Sequence, residues 1–216
     1  MAKIDIIYLH GFASSPSSKK AEIFKTRFGQ LSIPLIVPDL QEGNFKTLTI
    51  SSQVRVVQKI IDSRSGRKFA VIGSSMGGYL AALLAQLNAD VEALYLMAPG
   101  FNFIERWKKT LFNIPPEPFR LPEFIDVFHY GYNKNVTMST GIFKDAEKWE
   151  GLSLDRQLPT RIAHGLHDDT VDINVSREFV KDRPWRSLAE LDSDHSLLSH
   201  IDWIVKDCLK FLKIDS

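Results

Sequence analysis

Residues 69–79 read Phe69-Ala70-Val71-Ile72-Gly73-Ser74-Ser75-Met76-Gly77-Gly78-Tyr79. The run Phe69–Ile72 is short, apolar and ends on glycine, as a buried strand does. From Tyr79 to Leu87 the chain is rich in Ala and Leu and reads as a buried helix. Between them stands G-x-S-x-G, with Ser75 at its centre. A strand, this pentad and a helix in that order make a nucleophile elbow, the sharp turn that lifts a serine hydroxyl above a sheet edge. Such a turn strains the backbone of the central residue and needs small neighbours. It also aims the N–H groups of a helix N-terminus at the place where an oxyanion would form.

Outward from this segment, short apolar runs recur. Ile4–Leu9, Leu35–Val37, Ala93–Met97, Arg161–Ala163 and Leu188–Leu191 join Phe69–Ile72 as candidate strands. They are continuous and not alternating, which suits a sheet covered on both faces. Amphipathic segments lie between them. Phe24 and Phe28 are four apart. Ile50, Val54, Val57 and Ile61 share one helical face, and Ile201, Ile204, Val205, Cys208, Leu209 and Leu212 mark a last helix. Alternation of this kind predicts one α/β domain over residues 1–216, built on a largely parallel sheet.

The rhythm breaks once. After Ala98-Pro99-Gly100 about sixty residues pass before the next strand, with Pro115, Pro116, Pro118 and Pro122 among them. So long a structureless loop does not suit a compact domain, so an inserted cap of short helices is expected within 101–150. That segment is also where the aromatics gather. The chain has 14 Phe, 5 Tyr and 4 Trp, and eleven of these rings lie in 101–150. Acidic and basic residues balance there. The cap is therefore expected to line an apolar site, with Phe101, Phe103 and Trp107 as substrate-binding residues.

Composition bounds the rest. With 27 Lys and Arg against 26 Asp and Glu, the 216-residue chain has a formal charge of +1 and no field to draw it to nucleic acid. No apolar stretch is long enough to span a bilayer, and the N-terminal apolar run is interrupted by Asp5, a poor signal peptide. One cysteine, Cys208, forbids an intrachain disulfide and favours a reducing, cytoplasmic compartment.

Three further motifs follow strands. His10-Gly11-Phe12 closes the first; its loop is placed to offer the Phe12 N–H as a second oxyanion donor beside that of Met76. His164-Gly165-Leu166-His167-Asp168-Asp169 follows Arg161–Ala163, where the acid of a triad is expected, and both Asp168 and Asp169 qualify. Metal binding by the histidines and aspartates of this run is disfavoured, because no helical H-E-x-x-H face or matching ligand cluster occurs. Asp192-Ser193-Asp194-His195 follows the last strand and supplies His195 as general base. His129 and His200 read as ordinary surface or helix-end residues, and Lys19 and Lys20 as a solvated first helical turn.

Serine, then acid, then histidine is the chain order of α/β-hydrolases. The stretches Tyr8–Phe12, Ser14-Ser15-Pro16, Lys19-Lys20-Ala21 and Ile72–Tyr79 resemble the YqiA-like family of small bacterial esterases. His164–Val171 and Asp194-His195 are closer to small depalmitoylating and acyl-ester-cleaving hydrolases. The resemblance covers residues 4–98 and 158–212 and leaves out the cap. It favours Asp168 over Asp169. It implies a minimal α/β-hydrolase fold with a six-stranded parallel sheet, and esterase or thioesterase activity without a cofactor, on a small-molecule ester or thioester. The same fold also hosts lyases, C–C hydrolases, acyltransferases and non-catalytic sensors.

Overall fold

The six apolar runs form six parallel strands. In the computed structural model, which describes residues 4–112 and 122–214, these are β1 (Ile4–Leu9), β2 (Leu35–Ile36), β3 (Lys68–Ser74), β4 (Val91–Met97), β7 (Thr160–Gly165) and β8 (Arg186–Leu191). Their order across the sheet is β2-β1-β3-β4-β7-β8, and every pairing is parallel. The chain leaves β1 toward β2 on one side and returns to β3 on the other. Open α/β sheets place their sites at the carboxyl ends of strands beside such a reversal.

Helices cover both faces, as the continuous apolar runs require. On one face lie α1 (Lys19–Gln30) and α7 (Ile201–Phe211). Phe24 and Phe28 of α1 and Ile204, Val205, Cys208 and Leu209 of α7 are buried there against β1 and β4. The other face carries α2 (Ile50–Asp62) and α3 (Met76–Leu87). The foreseen stripe Ile50, Val54, Val57, Ile61 is buried against β1 and β3. Thr49 and Ser52 cap α2 reciprocally, each hydroxyl accepting from the other's N–H at 2.9 and 3.0 Å.

The long interval between β4 and β7 differs from the expectation of helices alone. It does hold two helices, α4 (Phe103–Phe112) and α5 (Gly141–Glu150). Between them runs an antiparallel hairpin, β5 (Phe124–His129) and β6 (Lys134–Ser139), paired from Phe124↔Ser139 to His129↔Lys134. Ile125, Val127 and His129 turn inward while Phe124, Asp126 and Phe128 face out. This is period-two alternation, but the outward positions carry Phe, so apolarity alone hides the alternation. Pro115, Pro116, Pro118 and Phe119 lie outside the described residues. α5 is pinned to α2: the Asp145 carboxylate accepts from the Ser51 N–H at 2.7 Å and its hydroxyl at 2.6 Å, and Trp149 donates to the same hydroxyl. A separate α6 (Asn174–Val180) follows β7.

Candidate active site

Ser75 joins β3 to α3 with φ +53° and ψ −119°, a conformation that costs a non-glycine residue about 1–3 kcal/mol. Surrounding bonds hold it there. Its N–H donates to Met97 O at 2.9 Å, and its carbonyl accepts from the N–H groups of Gly78 and Gly100 at 2.9 and 2.8 Å. The glycine requirement is one of space at Gly77, where a Cβ would stand 2.2 Å from Leu9 O. The tight packing of the elbow on the end of β1 thus explains the second glycine of the motif. It also brings the β1 loop to Ser75: a Cβ on Gly11 would sit 4.0 Å from Ser75 Oγ.

Asp168 and His195 arrive from the loops after β7 and β8. Gly165 ends β7 so close to the next loop that a Cβ there would meet Ser193 O at 2.3 Å. In that loop Asp194 accepts from the N–H groups of Ser196 and Leu197, an Asx turn that directs His195 back over the sheet edge. His195 Nε2 lies 3.1 Å from Ser75 Oγ, and His195 Nδ1 lies 2.7 Å from Asp168 Oδ2. Of the two aspartates that the motif offered, Asp168 is the one in line. Asp169 accepts from the Thr170 hydroxyl, and Asp172 from the Asn174 N–H at the start of α6.

The carboxylate of Asp168 is fully enclosed while the His195 imidazole remains 23% exposed. Burial alone would raise the Asp168 pKa. Hydrogen bonds from His164 and His195, the charge interaction with His195 and the Val171 N–H outweigh it, so the carboxyl is held well below the ordinary range. Its Oδ1 accepts from the Thr170 and Val171 N–H groups at 2.9 and 2.7 Å. His164, buried, reaches Oδ2 with Nε2 at 3.1 Å and shares that N–H with Val171 O, while Nδ1 accepts from the Ser176 hydroxyl at 2.7 Å. His164 is therefore a second imidazole on the same carboxylate, a role that sequence reasoning missed. The signal was its place on a buried strand four residues before Asp168. His167 instead pairs with Asp192 at the surface, so the motif's two histidines do not converge.

Of the two expected oxyanion donors, the Phe12 N–H donates to no described residue. Met76 is the first residue of α3, where an N–H has no acceptor within the helix. His10, buried, donates from Nδ1 to Gly11 O at 3.0 Å and accepts at Nε2 from the Leu40 N–H at 3.3 Å, which shapes this loop.

Of the three aromatic residues expected to bind substrate, Trp107 meets this loop: its ring is edge-on to Phe12 at 4.8 Å. Phe103 is buried between Trp107 and Phe143 and packs α4 on the core. Phe101 stacks on Phe179 of α6 at 4.2 Å, on the wall of a cavity of about 500 Å³ that Ser75 and His195 do not line. Phe103 is held by α5 because α4 turns its apolar face there, and Phe101, which precedes α4, is held by α6. Arg106 of the same helix donates to Phe101 O at 2.9 Å and Thr170 O at 3.1 Å, tying α4 to the acid loop.

Lys20 also departs from expectation. Lys19 is solvated, but Lys20 is half-buried near Asp168 and Asp194, and burial pushes its ammonium down to about 8 against the pull of both carboxylates. A lysine with a lowered folded pKa weakens the fold while charged, and this loss disappears as pH rises from about 8 toward the ordinary 10.5. Lys20→Met is expected to be more stable than the parent at pH 7 by about 1 kcal/mol, with the gap closing by pH 10.5. Denaturant titrations at the two pH values check this.

The fold is widely shared among solved structures. Est1E from Butyrivibrio proteoclasticus, with ferulic acid bound, matches with a TM-score of 0.83 at 16% identity, over 98% of this chain and 89% of that one. Mouse alpha/beta hydrolase domain-containing protein 10 matches with a TM-score of 0.77 at 19% identity, over 99% and 91%. At these identities the likeness is one of fold. The family model described as Uncharacterised protein family (UPF0227) matches residues 5–212. That match runs through the insertion and the C-terminal motifs, beyond the stretches that carry the YqiA-like resemblance. On this match the chain, an α/β-hydrolase fold with a six-stranded parallel sheet, belongs to the UPF0227 family.

Proposed function

We propose that this protein is a serine hydrolase that cleaves a carboxylic ester or thioester through an acyl-enzyme on Ser75. The observation that carries the reading is the unbroken chain Ser75 Oγ, His195, Asp168, with contacts of 3.1 and 2.7 Å at the carboxyl edge of the sheet. Ser75 Oγ attacks the acyl carbon as His195 Nε2 takes its proton. Asp168 holds the Nδ1–H tautomer and stabilises the imidazolium. The N–H groups of Phe12 and Met76 hold the oxyanion. His195 gives the proton to the departing alkoxide or thiolate, and water, deprotonated by His195, then releases the acid and restores Ser75.

Residues 101–150 act as the cap. Trp107 lies edge-on to Phe12, on the loop proposed to hold the oxyanion, which suits an apolar acyl group. A carboxylic acid bound by Est1E is in keeping with a carboxylic acid product here. The buried thiol of Cys208, whose pKa burial raises, is inert and fits a reducing compartment.

A fluorophosphonate probe is expected to label the parent chain on Ser75, and a series of p-nitrophenyl esters is expected to be hydrolysed with preference for the longer, more apolar acyl chains. Labelling of a folded chain elsewhere than Ser75, or none, overturns the reading. Labelling without hydrolysis of any ester transfers the site to the other chemistries of this fold.

A further inference from the structure

His129 was expected at the surface, yet it is enclosed at the end of β5, with Tyr132 stacked on its ring at 3.9 Å and Phe45 edge-on at 4.8 Å. Both ring nitrogens are committed. Nδ1 accepts from the Tyr132 N–H at 3.2 Å, an N–H that it shares with His129 O at 3.1 Å, and Nε2 donates to Gln41 Oε1 at 3.1 Å. The Gln41 amide nitrogen in turn donates to Ser14 O, in the loop that follows His10-Gly11-Phe12. Next to it the Tyr130 N–H donates to Ala13 O at 2.8 Å, and Gly131 lies against Ser15, where a Cβ would come within 3.0 Å of the serine Cβ. Phe12 itself packs on Phe45 at 5.5 Å, so main chain and side chain of this loop both lean on the hairpin tip and its neighbours.

We propose that His129 is a positioning residue: through Gln41 and the hairpin tip it holds the loop whose Phe12 N–H receives the oxyanion. This rests on the oxyanion role proposed for Phe12. The geometry has a direction with pH. The two contacts demand the neutral Nε2–H tautomer, because a proton on Nδ1 would face the Tyr132 N–H. Burial lowers the His129 pKa against the pull of its own backbone carbonyl and of the Asp39 carboxylate. The other ionisable groups about it are His10, lowered by burial and also committed to a neutral tautomer, Tyr132, and Lys134 in the cross-strand position. A proton taken up by His129 opposes the docked hairpin, so the loop is released as pH falls below the ordinary histidine range.

The variants His129→Ala and Gln41→Met each remove the link, and His129→Gln restores the donor toward Gln41 without a titrating ring. His129→Ala and Gln41→Met are expected to lower kcat for a p-nitrophenyl ester about 10²-fold, as a displacement of about 1 Å does, with KM little changed. His129→Gln should recover most of kcat, and its acid limb of kcat/KM should involve one proton fewer than that of the parent. Hydrogen exchange in residues 10–16 should quicken in His129→Ala and Gln41→Met while β3 and α3 stay protected. Gln41→Met keeps the hairpin intact if His129→Ala fails to fold. Parental kcat in the folded variants, an identical acid limb in His129→Gln, or unchanged exchange over residues 10–16 overturns the inference. Probe labelling of the parent's Ser75 separately tests the hydrolase reading, and the exchange measurement decides the loop's dependence on His129 whether or not the probe reacts.

Discussion

Replacing Ser75 by alanine is expected to lower kcat for a p-nitrophenyl ester by about 10⁶-fold, the loss found when a triad nucleophile is removed. The fold should survive it. Ser75 Oγ makes one described hydrogen bond, to His195, and the elbow is held by the backbone contacts of Ser75 with Met97, Gly78 and Gly100. Alanine at φ +53° inherits the strain of serine, so Tm should move by no more than a few degrees. KM should change little, because the cap and the oxyanion donors are untouched. The residual rate should still exceed that in water, since those donors continue to bind the developing charge. Steady-state kinetics with thermal unfolding checks all of this. A loss below 10²-fold in a folded variant would mean that another group attacks the substrate.

Asp168→Asn should cost about 10⁴-fold in kcat and, unlike Ser75→Ala, should also weaken the fold. Asparagine can keep Oδ1 as acceptor for the Thr170 and Val171 N–H groups. Its NH₂ then replaces Oδ2 and faces two N–H donors, His195 Nδ1 and His164 Nε2. To avoid donor–donor contact His195 must adopt the tautomer with its proton on Nε2, which cannot accept from Ser75. His164 has no such freedom, because Nδ1 accepts from Ser176 and Nε2 donates to Val171 O. A buried donor left without an acceptor costs about 1–3 kcal/mol. The deficit should depend on pH. A carboxyl held below its ordinary 3.8 stabilises the fold above that value, and the contribution fades as pH falls further. The stability gap between parent and Asp168→Asn is thus expected to be full at pH 7 and to narrow below pH 4. Urea titrations across that range, read beside kcat at pH 7, measure both effects.

The candidate positions Ser75 and His195 were legible because each is tied to a local pattern. Ser75 sits in a pentad whose second glycine, Gly77, is demanded by a contact with Leu9 O and whose first, Gly73, by one with Gly77 O, and His195 follows a buried strand in a turn set by Asp194. The choice of Asp168 over Asp169 was not local: adjacent carboxylates differ only in which way the β7 loop turns them. His164, Lys20 and His129 were misread or passed over for a related reason. Each looked like a strand-end, helix-start or surface residue, and each gained its role from a partner distant in the chain, Ser176, Asp194 and Gln41 among them. The β5–β6 hairpin was hidden by Phe124 and Phe128 on its outer face, where the alternation of apolar and polar side chains fails.

The sequence by itself determined the layers, the parallel sheet and the position of Ser75 in its elbow, since hydrophobic periodicity and a sterically constrained turn are properties of neighbouring residues. Only the tertiary structure showed the Asp168 carboxylate beside His195, which the family resemblance had favoured but the residues alone left open, and which aromatic rings meet the β1 loop and which only pack helices. Those outcomes turn on directions and distances of an ångström or two between segments far apart in the chain, fixed only when the sheet and the insertion close on one another.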